Sequence, residues 1–311
     1  MMRYLVLGAG AIGGYFGARL IQAGADVTFL VRPARAAALA REGLRVESPR
    51  GDVVTPAATV TADGLRGHFD LVLLSCKAYD LEDAIGSVAP AIAAGTGVLP
   101  LLNGVAHIER LGAAFGADRV LGGVAHIAST LRPDGVIHHL SGLAALRFGP
   151  IASGTDPWTP ALFEALQRAG VDAVRSAAIM QDLWDKLVFL ATLAGMTCLM
   201  RASVGIILST DDGATLMQRL LDECSSVATA EGFAPDAVAL ARYRAMLMER
   251  GSSLTASMLR DVERGAPTEA AHVLGDLVRR AQSRGIDTPV LRIAHAHLQA
   301  YEATRNAAAG H

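Results

Sequence analysis

Residues 3–32, RYLVLGAGAIGGYFGARLIQAGADVTFLVR, read as strand, glycine turn, helix and second strand, and this reading decides the fold. Residues 4–7 are a short apolar run of the kind a buried parallel strand carries, and Gly8, Gly10 and Gly13 follow in G-x-G-x-x-G spacing. In that spacing the first glycine permits the tight turn, the second lets the backbone approach a pyrophosphate, and the third lets the helix press onto the strand. Ala9, Ala11 and Ile12 complete the turn. The helix that follows offers free N–H groups and the positive end of its dipole, an anion site made without any basic side chain. A dinucleotide is the expected ligand.

The second strand, residues 26–31, ends at Arg32, where the adenosine ribose of such a ligand would lie. A carboxylate at this point suits the free 2′-hydroxyl of NAD, whereas an arginine accommodates the 2′-phosphate of NADP. Arg32 therefore favours NADP(H), with a solvated loop residue as the competing reading.

With 311 residues, of which 51% are hydrophobic, the chain has material for two domains with substantial cores. Its formal net charge is −2, and it contains neither a basic block nor an arginine stripe interleaved with aromatics, which argues against a nucleic-acid partner. Cys76, Cys198 and Cys224 are odd in number and far apart, so no disulfide framework and no metal site are suggested, and a cytoplasmic setting fits. The chain enters its first strand at once, which leaves no room for a signal peptide. Residues 187–200, LVFLATLAGMTCLM, are uncharged but number fourteen, below the roughly 18–20 needed to span hydrocarbon. A buried helix is expected there, and no membrane partner.

Beyond Arg32 a helix over residues 35–42 should stop at Gly43. Residues 44–55 read as a decoration at the sheet edge, turning near Gly51. Residues 71–75 form a buried strand that delivers Lys77 at its carboxyl end, followed by a helix over 81–92. A strand over 98–102 delivers Asn103, and one over 120–124 delivers His126. In an open α/β sheet ligands bind beyond the carboxyl ends of the strands, so Lys77, Asn103 and His126 are site candidates. Residues 136–139 and 145–148 are strand-like with no helix between them, so a short antiparallel addition is expected. A helix over 160–169 and a strand over 173–176 follow. Helical patterns then take over, which gives an α/β N-terminal domain, residues 1–178, and an all-α C-terminal domain, 179–311.

In the helical half, Lys186 lies one turn into an otherwise apolar helix over 181–199. A lysine that loses solvation there becomes a usable general acid near neutral pH, while an ion pair with Asp182 on an exposed face is the alternative. Glu269 precedes a stripe of Ala270, Val273, Leu274, Leu277, Val278 and Ala281 at helical spacing. With Pro267 near the first helical position, it is either a site residue or a first-turn carboxylate favoured by the helix dipole.

Taken together, GAGAIGG at 8–14, SCKAYD at 75–80, LLNGV at 101–105, LWDKL at 183–187 and TASMLRDVERGAPTE at 255–269 form an ordered set. The set resembles the ketopantoate reductase family over nearly the whole chain. The resemblance implies a Rossmann-type domain with a mostly parallel sheet, followed by a helical substrate-binding domain. It also implies NADPH-dependent reduction of a 2-oxo acid, with 2-dehydropantoate, a step of pantothenate biosynthesis, as the leading substrate.

Carried onto this sequence, the resemblance makes Lys186 the catalytic proton donor. Asn103 falls at the nicotinamide end and, with Ser257 and Glu269, toward the substrate. Lys77 and Glu269 also lie on the cofactor side. Where the family usually shows asparagines one and two turns after the lysine, this chain has Leu190 and Ala194. An apolar pocket wall follows, and with it the possibility of a more apolar 2-oxo acid. Opine- or imine-type dehydrogenation and a non-enzymatic NADP(H) sensor on the same scaffold compete with that reading. A homodimer through the apolar helical half is left open.

Overall fold

The computed structural model describes residues 2–152, 154 and 156–309. They group into two compact units, the first holding the chain to Leu102 and His107–Ile179, the second Asn103–Ala106 and everything from Met180 onward.

The first unit opens with β1 (Arg3–Leu7), α1 (Ala11–Gln22) and β2 (Asp26–Leu30), and β1 pairs with β2 in parallel from Arg3 opposite Asp26 to Leu7 opposite Leu30. Glycines let α1 lie close on this sheet. A Cβ added at Gly13 would run into Ser75 Oγ and the Gly8 carbonyl, and one at Gly17 into the Phe29 ring. After β2 comes α2 (Pro33–Glu42), which begins with proline at its first position and stops at Gly43, whose φ of 71° with ψ of −177° is a conformation that favours glycine but is not the left-handed helical cap.

The chain continues through β3 (Leu44–Glu47), β4 (Val53–Thr55), β5 (Ala58–Val60), β6 (Leu71–Leu74), α3 (Leu81–Val88) and β7 (Gly97–Pro100). The first sheet has the order β5-β2-β1-β6-β7 and every pair is parallel. All residues of β6 and β7 are buried, as a parallel sheet covered on both faces requires. The helix expected over 81–92 ends earlier, at Val88, because Pro90 lies just beyond and the chain tightens into a 3₁₀ turn over Ala89–Ala91.

Next come α4 (Ala106–Phe115), β8 (Leu121–Leu131), β9 (Ile137–Pro150), α5 (Thr159–Arg168) and β10 (Asp172–Arg175). The antiparallel addition is a sheet in its own right, ordered β10-β9-β3-β4 with β8 paired to β9. Residues 44–55 therefore do not edge the first sheet. They form β3 and β4, with β3 parallel to β9. The β8–β9 hairpin is also much longer than the strand-like runs suggest, because Gly122 and Gly123 interrupt the apolar alternation while staying paired with Gly149 and Phe148, and Gly142 lies where the register shifts between Ile127 and Ser129 before pairing resumes. Gly123 has a packing reason, since an added Cβ would lie 2.5 Å from the Pro100 carbonyl oxygen.

The second unit is helical: α6 (Ile179–Met200), α7 (Val204–Ile207), α8 (Gly213–Ala230), α9 (Ala237–Leu247), α10 (Ser257–Glu263), α11 (Ala270–Ser283) and α12 (Pro289–Ala309). By length and composition the 22-residue α6 could cross a membrane, yet 72% of its apolar window is buried. Leu183, Trp184, Val188, Met196 and Leu193 are buried at positions spread around the whole of its circumference, the pattern of a helix at the centre of a core. The six apolar residues of the α11 stripe are also buried.

Polar groups pin this unit at chosen points. Both carboxylate oxygens of buried Glu223 accept N–H groups at the start of α12, from Val290 at 3.2 Å and Leu291 at 2.9 Å. An anion there satisfies otherwise orphaned donors and meets the positive end of the helix dipole. On α11, Arg280 donates to Asp276 at 2.8 Å and to Glu231 at 2.6 Å, and its guanidinium lies 5.5 Å from the centre of the Trp184 ring. That contact holds α11 against the stretch of α6 that carries Lys186.

Candidate active site

At the nucleotide end, Gly8 has a φ of 90° and Gly10, the residue before α1, is extended at φ −89° with no side-chain cap. The first N–H groups of α1 therefore point outward from a bare backbone. A Cβ added at Gly10 would meet nothing within 4 Å, so that face is open to an approaching phosphate. Beneath it Ser75 Oγ donates to the Leu7 carbonyl at 2.8 Å and fills the space that Gly8 and Gly13 leave.

A groove of about 860 Å³ runs from Gly8–Gly10 past Leu30–Pro33 to Thr61–Asp63 on one side and Asp80–Asp83 on the other. That volume lies within the range of small-molecule and cofactor sites. Arg32 is exposed on its wall. Arg35, one turn further along α2, is not available in the same way, because its guanidinium donates to the Ala9 carbonyl at 2.9 Å and to the Gly135 carbonyl at 3.3 Å. It braces the glycine turn. Lys77 is half-buried at the start of the 3₁₀ turn Ala78–Asp80, between the groove-lining residues Cys76 and Asp80. His126 does not end a strand. The strand runs on to Leu131, so His126 lies within it, opposite Ala145.

The second unit carries the remaining candidates. Lys186 is half-buried on α6, and burial pushes its ammonium down to about 8 from the usual 10.5, against the opposing pull of the Glu269 carboxylate. Glu269 is buried and stands at the cap of α11, one residue before its first turn, so the expectation that it sits inside that turn is corrected. Its side chain makes no capping hydrogen bond. Its backbone carbonyl instead accepts from His272 and Val273.

Glu269 is placed by α12. Glu302 accepts the Thr268 N–H and the Thr268 hydroxyl, each at 2.6 Å, and the Tyr301 hydroxyl donates to the Ala266 carbonyl at 2.8 Å. Ser257 begins α10, and the adjoining Ala256 N–H reaches Thr197 Oγ1 at 3.4 Å. Thr197 is eleven residues after Lys186 and so lies on nearly the same face of α6, roughly 16 Å along the axis. Between them, Leu190 is half-buried and Ala194 fully buried. Asn103 is half-buried in the four-residue stretch after the first sheet that groups with this unit.

Two adjoining family models match this chain: "Ketopantoate reductase PanE/ApbA" over residues 4–153 and "Ketopantoate reductase PanE/ApbA C terminal" over 178–302. The chain belongs to the ketopantoate reductase family. An uncharacterized oxidoreductase of Bacillus subtilis, YkpB, is 38% identical over 98% of this chain and all of its own length. A 2-dehydropantoate 2-reductase of Halobacterium salinarum is 29% identical over 94% of this chain and 96% of its own. Among solved structures, a 2-dehydropantoate 2-reductase of Geobacter metallireducens superposes with a TM-score of 0.85 at 30% identity, covering 96% of this chain and 99% of that one. A D-mandelate dehydrogenase shares the fold at a TM-score of 0.88 and 21% identity, covering 98% and 99%. The chain is thus an oxidoreductase of this family and shares the fold of its solved members.

The glycines, Arg32, Lys186 and Glu269 can be named as candidates from the sequence. The roles of Ser75, Arg35, Thr268 and Glu302 cannot be read there. Ser75 opens the SCKAYD stretch, and Arg35 stands one helical turn from Arg32, so both lie beside signals that can be read. Glu302 is thirty-four residues from the threonine it holds and leaves no local signal.

Proposed function

We propose that this chain reduces a 2-oxo acid to the 2-hydroxy acid with NADPH, and that 2-dehydropantoate is the leading substrate. The observation that carries the reading is the ammonium of half-buried Lys186, pushed down to about 8 by burial and acted on by the buried carboxylate of Glu269. A group poised there is still largely protonated at neutral pH yet releases its proton far more readily than a solvated lysine.

The groove beside the bare glycine turn suits a dinucleotide, and exposed Arg32 on its wall suits a 2′-phosphate. When bound there, the reduced nicotinamide supplies the hydride. Lys186 gives its proton to the substrate's carbonyl oxygen, so the carbonyl gains one hydride and one proton and becomes a hydroxyl. Glu269 accepts a hydrogen bond from a substrate hydroxyl, Ser257 and Asn103 add polar contacts, and Lys77 serves the cofactor side.

Leu190 favours a second reading, a 2-oxo acid with a bulkier apolar side chain, since a half-buried leucine next along the face from Lys186 offers no hydrogen bond. The test is NADPH oxidation by pure protein with 2-dehydropantoate, 3-methyl-2-oxobutanoate and phenylglyoxylate, each with and without an added amine. Oxidation that requires a 2-oxo acid and no amine is expected. A higher kcat/KM for phenylglyoxylate selects the second reading, amine dependence selects an imine reductase, and no oxidation with any of them overturns the proposal.

A further inference from the structure

His272 lies three residues after Glu269 on α11, half-buried, and nothing in the proposed chemistry uses it. Two observations tie it to Asn103. Its imidazole hydrogen-bonds the Asn103 backbone in the sense that favours the protonated ring, with an N–H donating to the carbonyl. The ring also packs on the next residue, since a Cβ added at Gly104 would lie 3.0 Å from His272 Cδ2 and 3.2 Å from Nε2. Gly104 adopts a φ of 86°, so the chain turns sharply there in a conformation few side chains tolerate, and the space a side chain would need is filled by the imidazole.

From this geometry we infer that His272 is a positioning residue that fixes Asn103 to the N-terminal turn of α11, so that Asn103 and Glu269 are carried by one rigid element. The inference rests on the roles proposed above for Asn103 and Glu269. Its physical logic is short. Holding the Asn103 carbonyl, together with the left-handed Gly104, fixes the peptide plane between residues 103 and 104. That sets the direction in which the Asn103 side chain leaves the backbone. The same helix turn holds Glu269, whose carbonyl accepts the His272 N–H at 3.1 Å. A backbone carbonyl drawn partly out of water also needs a partner, and the imidazole provides one.

Burial holds the His272 ring below its ordinary value, opposed by the Glu269 and Asp276 carboxylates and by the hydrogen bond to Asn103, with Arg279 acting in the same direction as burial. Either protonation state keeps an N–H for the Asn103 carbonyl, so the tether is not a pH switch.

Two volume-preserving variants test it, His272→Leu, which removes the donor, and His272→Gln, which keeps one. Hydrogen exchange of the intact protein is read at residues 103–106. In His272→Leu, protection there should fall at least about tenfold with the first sheet unchanged, and His272→Gln should retain it. With NADPH and 2-dehydropantoate, His272→Leu should lower kcat about ten- to a hundredfold and move the KM for NADPH by less than about threefold, with His272→Gln substantially rescued. If wild-type protein turns over no 2-oxo acid, the proposed function fails while the exchange result still decides the tether. Unchanged protection at 103–106 in His272→Leu, or equal loss in both variants, overturns the inference.

Discussion

The two regions to which the proposed function is assigned are built from different materials. Around Gly8–Gly13 the working groups are backbone N–H donors, made available by the absence of side chains, and the nearby side chains of Ser75 and Arg35 serve to brace the turn. Around Lys186 and Glu269 the groups proposed to work are themselves side chains, drawn from water, with Glu269 placed through the hold of Glu302 on Thr268. The first kind of site is encoded locally, in a run of glycines. The second is encoded in tertiary packing, and its properties, above all the pKa of Lys186, belong to the fold and not to the residue.

The largest expected effect breaks the side-chain region alone. Lys186→Met should lower kcat by about 10²–10⁴ while NADPH affinity, read by fluorescence titration, is retained. The same change should stabilise the protein, because the native state holds Lys186 with a depressed pKa. Below about pH 8 both native and unfolded wild-type chains carry the charge, and the native one bears the whole net cost of holding it, burial less the attraction of Glu269, roughly 3 kcal/mol. Between about 8 and 10.5 the unfolded chain binds more protons and wild-type stability recovers. The advantage of Lys186→Met in urea unfolding should therefore be present at pH 7 and shrink as pH rises through that window. An unaltered kcat would remove the distinction between the two regions.

The backbone region should respond in a way no side-chain site would. Gly10→Ala meets open space and an extended backbone, so stability should change by less than about 1 kcal/mol while NADPH affinity falls roughly ten- to a hundredfold. Gly13→Ala collides with Ser75 and the Gly8 carbonyl and should destabilise by about 1–3 kcal/mol as well. Equal stability losses in the two variants would mean that Gly10 is a packing residue. A smaller effect sharpens the cofactor assignment. Arg32→Asp should weaken NADPH by about ten- to fiftyfold and leave NADH nearly unchanged, and equal weakening of both would refute the 2′-phosphate role. Smallest should be Glu302→Ala, which releases Thr268 and loosens Glu269. A several-fold rise in the KM for the 2-oxo acid with kcat little altered is expected.

The same division explains what the sequence reveals. The glycine turn, the stop at Gly43 and the α11 stripe can be read because each depends on neighbours within one or two turns. Leu190 and Ala194 can be named from the sequence but not described, since only packing shows that the first is half-buried and the second fully so. The second sheet is hidden because β3, β9 and β10 meet from positions roughly thirty to ninety residues apart, and glycines blur the alternation of β8 and β9. His126 is misplaced for the same reason, its apolar run breaking at 124 while its strand continues. Glu302 and His272 act on residues distant in sequence, at 268 and 103, and can be found only in the fold.

The central claim is that Lys186 donates the proton from a buried site that lowers its pKa to about 8. The most direct measurement is the pH dependence of kcat for NADPH oxidation with the best 2-oxo acid, in wild-type protein and in Lys186→Arg. The wild-type rate should be level below about pH 7.5 and fall toward tenfold per pH unit above about 8, and that alkaline limb should vanish in the arginine variant, whose residual rate stays flat. A wild-type profile that remains level to pH 10, or an alkaline limb that survives unchanged in Lys186→Arg, would contradict the account.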